Sequence, residues 1–237
     1  MSTPAPLPLL ATASIAVALA AADTYVVVLA LTDMMAGVGL GVEALQRATP
    51  IISGFLLGYV AVLPLIGRIA DLSSRQRVLL WCLAIFVVGS AVTALATDLP
   101  TLVAGRVVQG VGGGGLVPAT LAIVADLWPA DRRGMPLGVV GAVQELGSVL
   151  GPLLGAAVLA VSDWRMIFWL NAILGVVLAV LIVRTGGGLG ARPRWGPLVV
   201  TAVGLAVTGL ALAAPDALTT SVSLGLPFVP FGDATAR

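Results

Sequence analysis

The chain has no histidine and no lysine, and it holds a single cysteine and only 10% charged residues among 237. Each shortage removes a class of function. Without imidazole, and with no metal-ligand spacing or nucleophile–base arrangement, the case for an enzyme, metal site or cofactor is weak. Cys82 has no partner for an internal disulfide and lies in an apolar run, so it reads as a small packing residue. Twelve basic against eleven acidic residues leave a net charge of +1, which offers no footprint for nucleic acid. What remains is apolar. The chain is 59% hydrophobic with a mean hydropathy of +1.11, which excludes a disordered chain and argues against a soluble domain. Glycine is abundant, as expected where helices pack tightly in lipid.

The hydropathy pattern predicts an all-α polytopic membrane protein. A proline-rich lead covers 1–8. The opening run lacks the basic residues of a signal peptide and continues past Asp23, so it reads as a retained first span. Spans are expected at about 9–32, 49–70, 78–96, 101–127, 134–160 and 165–183, together a six-helix bundle over 9–183. A polar loop carrying Asp33, Glu43 and Arg47 joins the first two. A Gly/Arg-rich loop at 184–195 leads to a seventh apolar run at 196–214, and 215–237 reads as an irregular tail.

Arginine marks the two sides. Arg68, Arg75, Arg77, Arg132, Arg133, Arg184, Arg192 and Arg194 fall on one side, and Arg47 and Arg165 on the other, with acids beside them. The positive-inside rule then puts the amino terminus in the cytoplasm, in the inner (plasma) membrane. Six spans in two triplets match one half of a transporter built from inverted repeats, although many polytopic proteins have six or seven spans.

The run 134–160 has Glu145 as its only ionisable side chain, about 16 Å from its start by helical rise. A carboxylate at that depth is costly unless it faces protein or water, and it is a functional candidate by default. An acid at such a site suits proton exchange. Gly147, Gly151 and Gly155 form a smooth face for a neighbouring helix, and Pro152 favours a bend. An ordinary packing helix with a protonated passenger is the plainer alternative.

Asp23 lies about 13 Å from the outer end of its span, and Arg106 and Gln109 lie about 8 and 12 Å from theirs. Asp23 and Arg106 are therefore within reach of each other, as a functional or as a purely structural ion pair. Gln109, Gln144 and Asn171 are the candidates for a substrate cavity. In GRIADLSSRQR, Gly67 permits close approach of the second helix to a neighbour, and Arg68, Asp71, Arg75 and Arg77 form a gating loop. Asp126 is placed to pair with Arg75 as a latch that one conformation closes and another opens. In LVAGRVVQGVGGGG the glycine run thins the fourth helix below Arg106, or simply makes a tight crossing.

These residues resemble the major facilitator superfamily, in its drug:H+ antiporter branch with fourteen spans. DTYVVVLAL, GRIADLSSRQR, the set Leu102–Arg106–Gln109–Gly110, and Gly138, Gly147, Gly151–Pro152 and Gly155 each resemble a motif of that branch, in its order. DWRMIFWLN resembles its entry to the sixth helix. DTYVVV, QELGSVLGP and DWRMIFWLN further resemble mycobacterial lipid and multidrug exporters that work with a lipid-carrying lipoprotein. The resemblance implies proton-coupled export of drugs or lipids, proton coupling at Asp23, Arg106 and Glu145, and a periplasmic lipoprotein partner. The pattern departs at Leu72, Ser74, Gln76 and Ile173, which leaves Arg75 and Arg77 to supply the loop's charge.

The likeness covers about 9–214, the amino-terminal half plus one linker helix. Alternating access needs two halves, so the expectation is a truncated or frameshifted product, a partner carboxy-terminal half, or a homodimer. Two functions stay open: a transporter half that moves protons against a hydrophobic cargo among membrane lipids, and a non-transporting remnant or partner subunit.

Overall fold

The computed structural model describes residues 6–185. The expected seventh span, the tail, and Arg192 and Arg194 lie outside the described residues. Six helices follow one another: α1 (Pro6–Gly37), α2 (Leu45–Leu72), α3 (Arg75–Leu95), α4 (Leu99–Leu127), α5 (Gly134–Leu159) and α6 (Arg165–Thr185). There is no strand among the described residues, and all six helices are long and apolar enough to cross a membrane.

Several helix ends differ from the hydropathy reading, because capping and packing set an end rather than the loss of apolar character. Pro6 and Pro8 sit inside α1, not in a lead, because the first four amides of a helix have no intrahelical acceptor. At its other end α1 takes in Asp33. It then closes with Gly39 at φ 76°, Gly39 N–H on Ala36 O and Leu40 N–H on Met35 O. That is a Schellman closure, which needs a residue tolerant of positive φ. Arg47 belongs to α2 and Arg184 to the last turn of α6. The start of α4 moves ahead to Leu99 because Asp98 caps it, accepting from Thr101 N at 2.9 Å, with Pro100 in the first turn. Helices α2, α4 and α5 continue through Pro64, Pro118 and Pro152.

Glycine seams assemble the bundle. On α4, Gly110 and Gly114 lie on the backbone of Phe55 and Tyr59 in α2, while Gly105 and Gly112 lie on Thr93 and Phe86 in α3. Gly115 meets the sulfur of buried Cys82. The glycine run thus lets α4 accept two helices at backbone distance, and Gly113 faces Ala20 of α1 as well. The face expected on α5 is used by α1: Gly147, Gly151 and Gly155 stand against Ala18, Ala22 and Val26. Both sets rise together at four-residue spacing, so α1 and α5 run parallel. Gly105–Thr93 and Gly112–Phe86 run in opposite order, so α3 and α4 are antiparallel. This alternation gathers Arg68, Arg75, Arg77, Arg132, Arg133 and Arg184 at one end, and Asp33, Arg47, Asp163 and Arg165 at the other.

Candidate functional site

Four helices converge on one carboxylate. Asp23 of α1 is 1% exposed, and Arg106 and Gln109 of α4 are equally buried. The α4 pair is three residues apart and so shares a face. Arg106 Nη1 donates to Asp23 Oδ2 at 2.6 Å and to Gln109 Oε1 at 2.7 Å, and its Nε donates to Ile51 O of α2 at 3.3 Å. Asp23 Oδ1 accepts from Gln109 Nε2 at 2.9 Å and from Asn171 Nδ2 of α6 at 2.6 Å. Gln109 Nε2 also donates to Ser90 Oγ of α3, which itself donates to Phe86 O. The guanidinium carbon stands 4.4 Å from the Phe55 ring centroid and 5.7 Å from that of Phe168. Aromatic faces add cation–π attraction where water is excluded. A buried charge is tolerated when paired and hydrogen-bonded, and Arg106 and Asp23 are both.

The sequence placed Asp23, Arg106 and Gln109 within reach, but it did not single out Ser90, Phe55 or Phe168. A serine in an apolar helix usually just bonds its own backbone, as Ser90 also does. Gln109 and Asn171 were both assigned to a substrate cavity; both hydrogen-bond Asp23, and Asn171 also lines an apolar cleft between α5 and α6.

Glu145 stands apart. No hydrogen bond among the described residues ties it to the Asp23 cluster. It is exposed on α5 and lines a recess of about 200 Å³ with Gln144 and Ser148 of α5, Thr24 of α1 and Tyr59 of α2. The recess is therefore partly polar, and Glu145 does not look out on apolar walls alone.

At the arginine-rich end, Arg75 Nη1 lies 2.8 Å from Asp126 Oδ1 and donates to Ala122 O, so α3 grips the last turn of α4. Arg133 donates to Ala125 O and Trp128 O, closing the same helix end. The sequence read Arg133 only as loop charge. A cation at a helix C-terminus also complements the helix dipole. Arg68 is exposed on α2, and Arg77 is half-buried in the first turn of α3. Asp71 falls in the last turn of α2, and its side chain lies outside the described residues. Among the described residues no neighbour makes the close approach expected at Gly67. A Cβ there would meet nothing within 4 Å among the described residues, because α2 turns this position away from α4, and Gly138 of α5 is equally open.

A family model described as Major Facilitator Superfamily matches residues 13–186. The chain belongs to the Major Facilitator Superfamily. It is a superfamily of transporters, and the chain is not an enzyme. A triacylglyceride transporter of Mycolicibacterium hassiacum is 46% identical over 215 residues, covering 87% of this chain and 40% of its own length. Another of Mycolicibacterium smegmatis is 45% identical, covering 86% and 38%. A third, of Mycobacterium tuberculosis, is 42% identical over 226 residues, covering 87% and 42%. The chain spans about two fifths of the length of these curated relatives. The crystal structure of the human organic anion transporter MFSD10 (TETRAN) superposes with a TM-score of 0.61 at 22% identity, covering 77% of this chain and 48% of that one. That likeness shows the major facilitator fold.

Proposed function

We propose that this chain is the amino-terminal six-helix half of a proton-coupled exporter of hydrophobic or amphiphilic compounds, drugs or lipids. It sits in the inner membrane with its amino terminus in the cytoplasm. The observation that carries the reading is the buried Asp23–Arg106 pair, held by Gln109 of α4 and Asn171 of α6, with Ser90 of α3 joined to it through Gln109. A proton on Asp23 removes the charge that holds Arg106 and loosens all four helices together. That is the kind of coupling a two-state transporter uses. Glu145, in its partly polar recess, supplies a second proton-exchanging acid nearer the arginine-rich end. Arg75–Asp126 latches α3 to α4 on the cytoplasmic side. The triacylglyceride transporters that the chain resembles support a lipid cargo, and a periplasmic lipoprotein that receives it is part of the same proposal.

A second reading is a non-transporting module or partner subunit. Helix α5 is the least buried of the six, which leaves a face for a carboxy-terminal half or a second copy to cover in either reading. Inside-out membrane vesicles with an acid interior decide between the two. Accumulation of a hydrophobic fluorescent dye by the chain, lost in Asp23→Asn and Glu145→Gln, is expected for the exporter. No accumulation by the unmutated chain selects the second reading.

A further inference from the structure

Helices α5 and α6 scarcely touch, and an apolar cleft of about 270 Å³ opens between them down to α1. Leu154 and Val158 of α5 and Leu170 and Leu174 of α6 form its walls, and Asp23 and Asn171 form its floor. Leu154, Leu170 and Leu174 are exposed, so in a bilayer the mouth of the cleft meets acyl chains. Asn171 lies six residues into α6, about 9 Å below its start by helical rise. The floor is therefore within the leaflet at the Asp163–Arg165 end. A cleft with such walls stays dry in water and is filled by hydrocarbon in a membrane.

The floor sets the chemistry of what fills it. Both oxygens of Asp23 are already engaged. Asn171 gives one N–H to Asp23 and, among the described residues, its carbonyl oxygen receives no donor. A primary amide has two N–H groups and an acceptor oxygen, so capacity remains. Among the described residues no basic side chain lines the cleft, so a phosphate headgroup finds no partner there. Drawing such a headgroup to this depth is also costly. A lipid whose polar groups are only ester carbonyls and hydroxyls meets neither obstacle.

We propose that the α5–α6 cleft seats one acyl chain of a neutral acylglycerol, with an ester or hydroxyl of the lipid on the Asn171 amide. The proposal rests on the lipid-cargo reading above and gives it a lateral seat. Through Asn171 the seated lipid is one hydrogen bond from Asp23, so occupancy and the protonation of that acid act on the same side chain.

The test uses the full chain in phosphatidylcholine nanodiscs doped with dioleoylglycerol carrying a photoreactive tail, beside equally tagged phosphatidylcholine. The expected result is labelling of 151–174 that favours the glyceride about fivefold, the worth of one hydrogen bond. Asn171→Leu removes the preference, and Leu174→Trp, at the exposed mouth, lowers labelling by both probes. Equal labelling by the two probes, unchanged in Asn171→Leu, overturns the proposal and leaves bulk lipid as the occupant. Labelling that Leu174→Trp does not reduce also overturns it. Binding is read without a proton gradient, so lost dye accumulation with intact labelling sinks the exporter reading alone. Accumulation with unselective labelling sinks the cleft alone.

Discussion

Arg106 Nη1 stands 2.6 Å from Asp23 Oδ2, and both side chains are sealed from the surroundings of the bundle. Removing one partner strands the other charge in a low-dielectric interior. Arg106→Leu is expected to destabilise the chain by about 3–5 kcal/mol. The double variant Asp23→Asn with Arg106→Leu is expected to recover much of that loss, because no uncompensated charge remains. Thermal unfolding in one detergent checks it, and additive losses would show that the pair is not coupled.

Glycine substitutions on α5 separate its two faces. At Gly151 a Cβ would press on the backbone of Ala22 in α1, whereas at Gly141 it meets open space. Gly151→Ala should cost about 1–3 kcal/mol through overpacking. Gly141→Ala should gain up to about 1 kcal/mol, since glycine is a poor helix former. Unfolding midpoints of the two variants with the same sign would contradict the α1–α5 seam.

The Arg75–Asp126 pair lies near an aqueous surface, with the Asp126 side chain 57% exposed. Such pairs contribute about 0–1 kcal/mol and are screened by salt. Asp126→Asn should therefore lower stability slightly, and less at high salt. Arg75→Gln should cost more and keep part of its effect in salt, because it also loses the Ala122 carbonyl. Equal, salt-independent losses would argue against the latch geometry.

Exposure separates the two membrane acids. Asp23 is 1% exposed, while Glu145 opens into the recess. A hydrophobic carbodiimide should modify Glu145 and spare Asp23, as read by peptide mass spectrometry. Modification of Asp23 at a comparable rate would mean that the four-helix cluster opens readily.

The two acids were equally visible in the sequence, since any ionisable residue stands out in a run of apolar ones. Their surroundings were not. The depth arithmetic brought Asp23 level with Arg106 because helical rise is constant. It could not show that Asn171, 148 residues further on, closes the same carboxylate. The four-residue glycine period announced a close crossing on α5, and the structure supplied α1 as its partner. Gly67 carries the same signal and has no neighbour among the described residues, because a missing side chain permits an approach without causing one. Arg133 and Arg165 show the converse. Both read as loop charge, and both donate to the carbonyls that end α4 and α3.

The order of apolar runs and arginines determined the six crossings and their alternating direction, because hydrophobic length and rise per residue are local properties. Which helix faces which was decided only by packing, where contacts join residues far apart in the chain. Packing buried one acid in a four-helix hydrogen-bond cluster and left the other in an open recess.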